Sequence, residues 1–130
     1  MVNRAIKYQR IPFVVTVAGE TVPSGAVTVD INYKTVSGIL ALSKDAARTA
    51  MDGLTFEKFE INNQEIYPEG FDVEILGFGR DTNVNERFEK DVNEPGQNSS
   101  VDIKVKDGSI VGQVYPYTVF VVLKLSNPVQ

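Results

Sequence analysis

Six apolar stretches of this 130-residue chain, with a period of two almost throughout, restrict the fold more than any other feature. They are IPFVVTV (11–17), AVTVDIN (26–32), TVSGILAL (35–42), FDVEIL (71–76), VDIKVK (101–106) and YTVFVVLKL (117–125). Alternation of this kind places every second side chain on a buried face, as in strands of antiparallel sheets. In 26–32 it predicts Val27, Val29 and Ile31 on one face, and in 71–76 it sets Phe71, Val73 and Ile75 apart from Asp72, Glu74 and Leu76. Residues 101–106 turn Val101, Ile103 and Val105 inward, and 117–125, the longest apolar run, reads as a central strand. Phe13, Phe56, Phe59, Phe71 and Phe120 are expected in the core.

Turn chemistry separates these runs. Asn62–Asn63 stands where a tight turn needs residues tolerant of positive φ, and Asp107–Gly108 is a hairpin signal. Residues 43–52, SKDAARTAMD, carry alanines between Ser43 and Gly53 and read as a short helix or turn. About eight strands, one short helix and long connections at 43–53 and 79–99 predict an all-β domain. It is expected to be a two-sheet antiparallel sandwich of jelly-roll type, with a small barrel as the alternative. The expected division is a basic N-terminal arm over 1–10 and one sandwich domain over 11–130.

Composition narrows the chemistry. The chain has no cysteine, histidine or tryptophan. Disulfides, thiolate metal sites, cysteine nucleophiles and serine–histidine triads are therefore excluded, and the strongest sugar-stacking side chain is missing. The net charge of −4 is unevenly spread: Arg4, Lys7 and Arg10 face no acid in the first ten residues. Such an arm can contact a neighbouring copy, nucleic acid or an anionic surface, or simply fray. The acidic remainder argues against nucleic-acid binding beyond the arm. No apolar run reaches the roughly 18 residues of a membrane span, and no signal peptide is evident, so the expected location is cytoplasmic, or the virion if the protein is viral.

The candidate sites are few. In RDTNVNE (80–86), Asp81, Asn83 and Asn85 have the spacing that opens a calcium loop, with Glu86 next to them. An EF-hand loop needs Gly at its sixth position and Glu at its twelfth, and here those are Glu86 and Val92. The segment thus reads as a polar connection and contact surface first, together with Arg87 and Phe88. GFGRDT lacks the third glycine of a dinucleotide loop. Glu57, Glu60, Glu65, Glu69, Asp72 and Glu74 offer carboxylates for a glycosidase pair but alternate with apolar residues, as a solvated face does. Tyr115 and Tyr117, flanking Pro116, are candidates for an aromatic anchor at an interface or a sugar platform, with Tyr67, Phe78 and Phe88 as possible additions. No catalytic residue and no cofactor are expected.

With IPF and YTVFVVLKL as end strands and a basic N-terminal arm, the chain resembles the single jelly-roll capsid and vertex (penton) proteins of tailless phages. The resemblance is one of fold and covers most of the chain. It implies a ring-forming virion subunit whose arm, through Arg4, Lys7 and Arg10, reaches a neighbour or the particle interior. The expected function is therefore a non-enzymatic structural protein, with copies of itself and other structural proteins as partners. A carbohydrate- or receptor-binding sandwich module is the alternative.

Overall fold

A computed structural model describes residues 6–25, 27–43, 53–76, 94–95, 99–109 and 115–127. The strands are β1 (Ile6–Val15), β2 (Thr21–Pro23), β3 (Val27–Thr28), β4 (Thr35–Ser43), β5 (Thr55–Ile61), β6 (Gln64–Tyr67), β7 (Phe71–Asp72), β8 (Glu94–Pro95), β9 (Ser100–Lys106) and β10 (Tyr117–Ser126), with a 3-10 turn at Val73–Leu76. One sheet has the order β1-β10-β4-β8. The other runs β2-β9-β5-β6, with β3 also on β9 and β7 also on β5.

These pairings make the fold a jelly roll. Ile6 pairs with Ser126, Thr21 with Lys106, Thr35 with Pro95 and Ile61 with Gln64, so the partners nest around a midpoint near Asn63. The described strands form one long antiparallel ribbon bent at Asn62–Asn63. Rolling that ribbon creates the remaining contacts, β10 on β4 and β9 on β5. The bend has the predicted chemistry: Asn62 and Asn63 have φ of 54° and 64°. Asn62 also ties the tip back to β9, receiving the Ser100 amide on Oδ1 and donating from Nδ2 to Ser99, both at 3.0 Å.

The core lies between the sheets. Ile11, Phe13 and Val15 of β1 meet Val119, Val121, Leu123 and Leu125 of β10, opposite Phe56, Phe59 and Ile61 of β5 and Val101, Ile103 and Val105 of β9. Each such side chain contributes about 1.5–3 kcal/mol on burial. Tyr67 closes one end, stacked on Phe71 at 4.4 Å between centroids and edge-on to Phe59 at 5.1 Å.

Two bulges explain what alternation alone misses. In β5, Phe56 pairs with Val105 and Lys58 with Lys104, which leaves Glu57 as the extra residue. Phe56 and Phe59, three apart, thereby both face inward, and the period-two signal of this strand is lost. In β4, Leu125 pairs with Val36 and Lys124 with Gly38, so Ser37 is extra and bonds the Lys124 carbonyl at 3.2 Å.

Several expectations need correction. The strand expected at 71–76 is only β7 plus the 3-10 turn. A turn of three residues buries Val73 and Leu76 and leaves Ile75 58% exposed. Among the described residues of 26–32 the strand covers only Val27–Thr28, because Asp30 accepts the Asn32 amide and its carbonyl receives Tyr33 N–H; the resulting turn leaves Ile31 65% exposed. Asp107–Gly108 is not a hairpin: β9 and β10 lie in different sheets, and the pair begins a crossover between them. Phe120 sits outside the sandwich, half-buried. Residues 6–10 of the expected arm belong to β1. The helix expected over 43–52 lies outside the described residues apart from Ser43, which ends β4.

Candidate functional site

The most strongly built polar cluster sits where two of the crossovers between the sheets, β1 to β2 and β9 to β10, come together. The turn from β1 to β2 passes Gly19, and the segment leaving β9 passes Asp107 and Ser109. Asp107 is 4% exposed. Its Oδ2 receives the Gly19 and Ser109 amides, both at 3.0 Å, and the Tyr115 hydroxyl; its Oδ1 receives the Tyr117 hydroxyl. Asp107 N–H donates to the Glu20 carbonyl at 2.9 Å, and the Glu20 carboxylate in turn accepts Thr16 N–H at 2.7 Å.

The electrostatics of this knot follow from its donors. Burial pushes the Asp107 carboxyl up, but the two tyrosine hydroxyls and two amides outweigh it and hold it below the usual carboxylate range. The bond to Asp107 pushes Tyr115 up to about 12. Near neutral pH the acid is thus kept ionised and the phenol neutral. General acid–base chemistry asks for the opposite, groups tuned toward the working pH. The geometry suits a clamp holding two crossovers and the start of β10.

The two broad outer faces of the sandwich differ in character. On the four-stranded sheet, the outward positions of β1 are Ile6, Tyr8, Arg10, Pro12 and Val14, all exposed. Ile6, Tyr8 and Val14 keep 51%, 44% and 48% of their surface in solvent. Behind this row lie Phe120, Val122, Leu40 and Leu42, of which Leu40 and Val122 are buried by packing on the outside of the sheet. The Arg10 guanidinium lies 5.2 Å from the centre of the Phe120 ring. Arg10 and Lys124 are the only charged residues at the outward positions of β1, β10 and β4 among the described residues. Lys7, at the strand's end, is bonded to Asp30 at 2.7 Å, which raises the lysine and lowers the acid.

The outer face of the other sheet is acidic. Glu57, Glu60, Glu65, Glu69, Asp72 and Asp102 outnumber Lys58, Lys104 and Lys106, six to three. Most of these groups border a shallow recess of about 310 Å³. Cross-strand neighbours repeat the same sign: Glu60 opposes both Glu65 and Asp102, and Lys58 opposes Lys104. Such like pairs destabilise a sheet. Lys58 offsets part of this, 2.7 Å from Asp102 and 3.8 Å from Glu60. Among the described residues Glu65 and Glu69 have no cation within 4 Å, and no three acids are grouped closely enough to hold a metal ion.

The structure places the sequence-derived candidates unevenly. Arg4, Asp81, Asn83, Asn85, Glu86, Arg87, Phe88 and Phe78 lie outside the described residues. Tyr117 is 6% exposed and Tyr115 half-buried, their rings 5.5 Å apart and both hydroxyls on Asp107. Neither presents a free aromatic face of the kind a sugar platform needs, and Tyr67 belongs to the core. Glu57, Glu60, Glu65 and Glu69 do come together; Asp72 lies apart in β7. Sequence reasoning missed Asp107, which looks like a turn residue in KDGS. Its one signal was the pair of tyrosines ten or fewer residues downstream, and nothing in spacing ties them to it. The chain matches no family model, no curated protein and no solved structure.

Proposed function

We propose that this protein is a non-enzymatic structural subunit that assembles with copies of itself, and that its setting is a virus particle, as a capsid or vertex component. The observation that carries the self-assembly reading is the exposed apolar row Ile6, Tyr8, Pro12 and Val14 on the edge strand of the four-stranded sheet. Monomers rarely leave a ten-residue edge strand with such a row uncovered. The virion setting rests on the jelly-roll topology, which viral capsid proteins share with lectins and cupins. Cupin-type metal chemistry relies on histidines, which this chain lacks. Against the lectin reading stand the burial of Tyr117 and the half-burial of Tyr115, whose hydroxyls are both turned to Asp107.

Light scattering on the full chain, on a chain lacking residues 1–5 and on Val14→Glu tests the assembly. Trimming at residue 5 keeps β1 whole. The expected result is a multimer for the first two and a shift toward monomer for Val14→Glu. A monomeric full chain at concentrations up to about 100 times a micromolar working value would overturn the proposal, since that range spans roughly 2.7 kcal/mol of association. Peptides of this chain in purified particles test the virion setting, and their absence there would remove it.

A further inference from the structure

We infer that Pro12 decides how the copies meet: it closes the backbone edge of β1 to an added strand and leaves the side chains of its outer face as the contact. This rests on the self-assembly reading above and says which of two surfaces of β1, its edge or its outer face, a second copy takes.

The register of β1 fixes the direction of its backbone groups. Every residue from Ile6 to Val15 is paired with β10 without a shift, and Pro12 lies opposite Phe120. Antiparallel strands exchange their backbone bonds at alternate pairs only, and proline has no N–H to exchange. The bonded pairs are therefore those of the odd-numbered residues, Ile11 and Phe13 among them. The even-numbered residues turn their N–H and C=O groups to the other side. That side is where a further strand would add, since β1 is the last strand of its sheet. At position 12 the carbonyl of an incoming strand would meet the pyrrolidine ring in place of a donor. Pro12 thus leaves the ladder to β10 whole and interrupts the outward row of donors.

The stretches on either side of Pro12 are closed by other means. Beyond Val14, the next N–H of the same parity is that of Thr16, and the Glu20 carboxylate takes it at 2.7 Å. Before Pro12, Lys7 shares the core-facing parity of Ile11, Phe13 and Val15, yet its ammonium turns to Asp30 at 2.7 Å. The Gln9 side-chain amide donates to the Thr28 carbonyl at 2.9 Å. An added strand would set its own inward side chains against these polar groups and not against the core. Prolines and inward-turned charges on an edge are devices by which sheets avoid pairing edge to edge. The other outermost strands are protected by brevity: β8 has two residues, β2 three and β6 four. Among the described edges β1, with ten residues, is the one long enough to recruit a strand, and it is the one that carries Pro12. Ile6 and Val14 meanwhile stand exposed on its outer face, where side chains can pack without any backbone bond.

Amide hydrogen exchange distinguishes the two contacts. In the wild-type multimer the Arg10 and Val14 amides should exchange at least about tenfold faster than those of Ile11 and Phe13, which are bonded to β10. Equally slow exchange at Arg10 and Val14 would mean that the copies join by strand addition, and would overturn the inference while leaving self-assembly standing. Position 12 is exposed and gives no bond to β10, so Pro12→Thr is expected to keep the wild-type circular dichroism. With the N–H restored, the variant should lower the concentration for half-assembly at least about tenfold in sedimentation and slow exchange at Arg10 and Val14. The double variant Pro12→Thr/Lys7→Thr should go further in both. If both variants match the wild type in mass and in exchange, Pro12 does not close the edge and the inference is overturned. A wild-type monomer would refute the self-assembly reading and with it the outer-face contact. The closed edge would then be judged separately, supported by a dimer that Pro12→Thr gains and overturned if both variants stay monomeric.

Discussion

Replacing Asp107 tests the claim that one buried carboxylate locks the two sheets together. Asp107→Ala removes the acceptor for the Gly19 and Ser109 amides and for the Tyr115 and Tyr117 hydroxyls. Hydrogen bonds to a charged acceptor contribute about 1.5–3 kcal/mol each. Four of them do not sum, because exposed Ser109 and half-buried Gly19 and Tyr115 can turn to water, whereas Tyr117 is buried. One full loss and partial loss of the others gives about 3–5 kcal/mol, a large part of the roughly 5–15 kcal/mol that holds a domain folded. At about 2.1 cal/mol/K of unfolding entropy per residue, that corresponds to a fall of about 10–20 °C in Tm. Asp107→Asn should cost less, about 1–2 kcal/mol, since its carbonyl keeps one oxygen acceptor in place. Differential scanning calorimetry reads both, with Tyr117→Phe as a companion that should recover part of the same loss in a double-mutant cycle. If Asp107→Ala melts within about 2 °C of the parent, near the scale of an ordinary surface substitution, the clamp is not what joins the sheets.

Further expectations concern pH, packing and the turn. The folded value of Asp107 lies below its ordinary 3.8, so the stability it contributes is complete above that pH and is lost as pH falls through the folded value; Asp107→Asn should flatten the acid limb of a Tm–pH profile there. Tyr115 is raised from 10.0 to about 12, so its contribution is complete below pH 10 and lost as pH rises through about 12, a loss that Tyr115→Phe should abolish in alkaline denaturation. A Cβ on Gly108 would sit 2.4 Å from the Gly53 carbonyl oxygen, so Gly108→Ala should destabilise by about 1–3 kcal/mol in urea titration. Asn63, at φ 64°, should accept Gly with no loss, while Asn63→Val costs about 1–2 kcal/mol in the same assay.

Much of the fold is legible wherever a strand keeps strict alternation and one face is buried. β9 and β10 fall where their patterns put them, and the Asn62–Asn63 turn adopts the positive φ its residues tolerate. Legibility fails where geometry is irregular. The bulge at Glu57 spaces Phe56 and Phe59 by three, so β5, the strand central to the second sheet, carries no period-two signal. The Asp30 turn ends β3 after two residues despite an apolar residue at Ile31. For the candidate surfaces, the basic character of β1 was visible in Lys7 and Arg10. That Arg10 shares an outward face with Lys124, more than a hundred residues away, was not.

The sequence alone determined the fold class and the chemistry ruled out. Local alternation and turn residues specify strands, and the absence of histidine and cysteine removes whole families of reactions regardless of packing. Only the tertiary structure decided the burial of Asp107 and which side chains share each outer face. A carboxylate at the end of a strand becomes a buried clamp only when the roll brings Gly19, 88 residues earlier, against it. Likewise, which charges share a face depends on cross-strand register, and a shift of one residue would send them to opposite sides of the sheet.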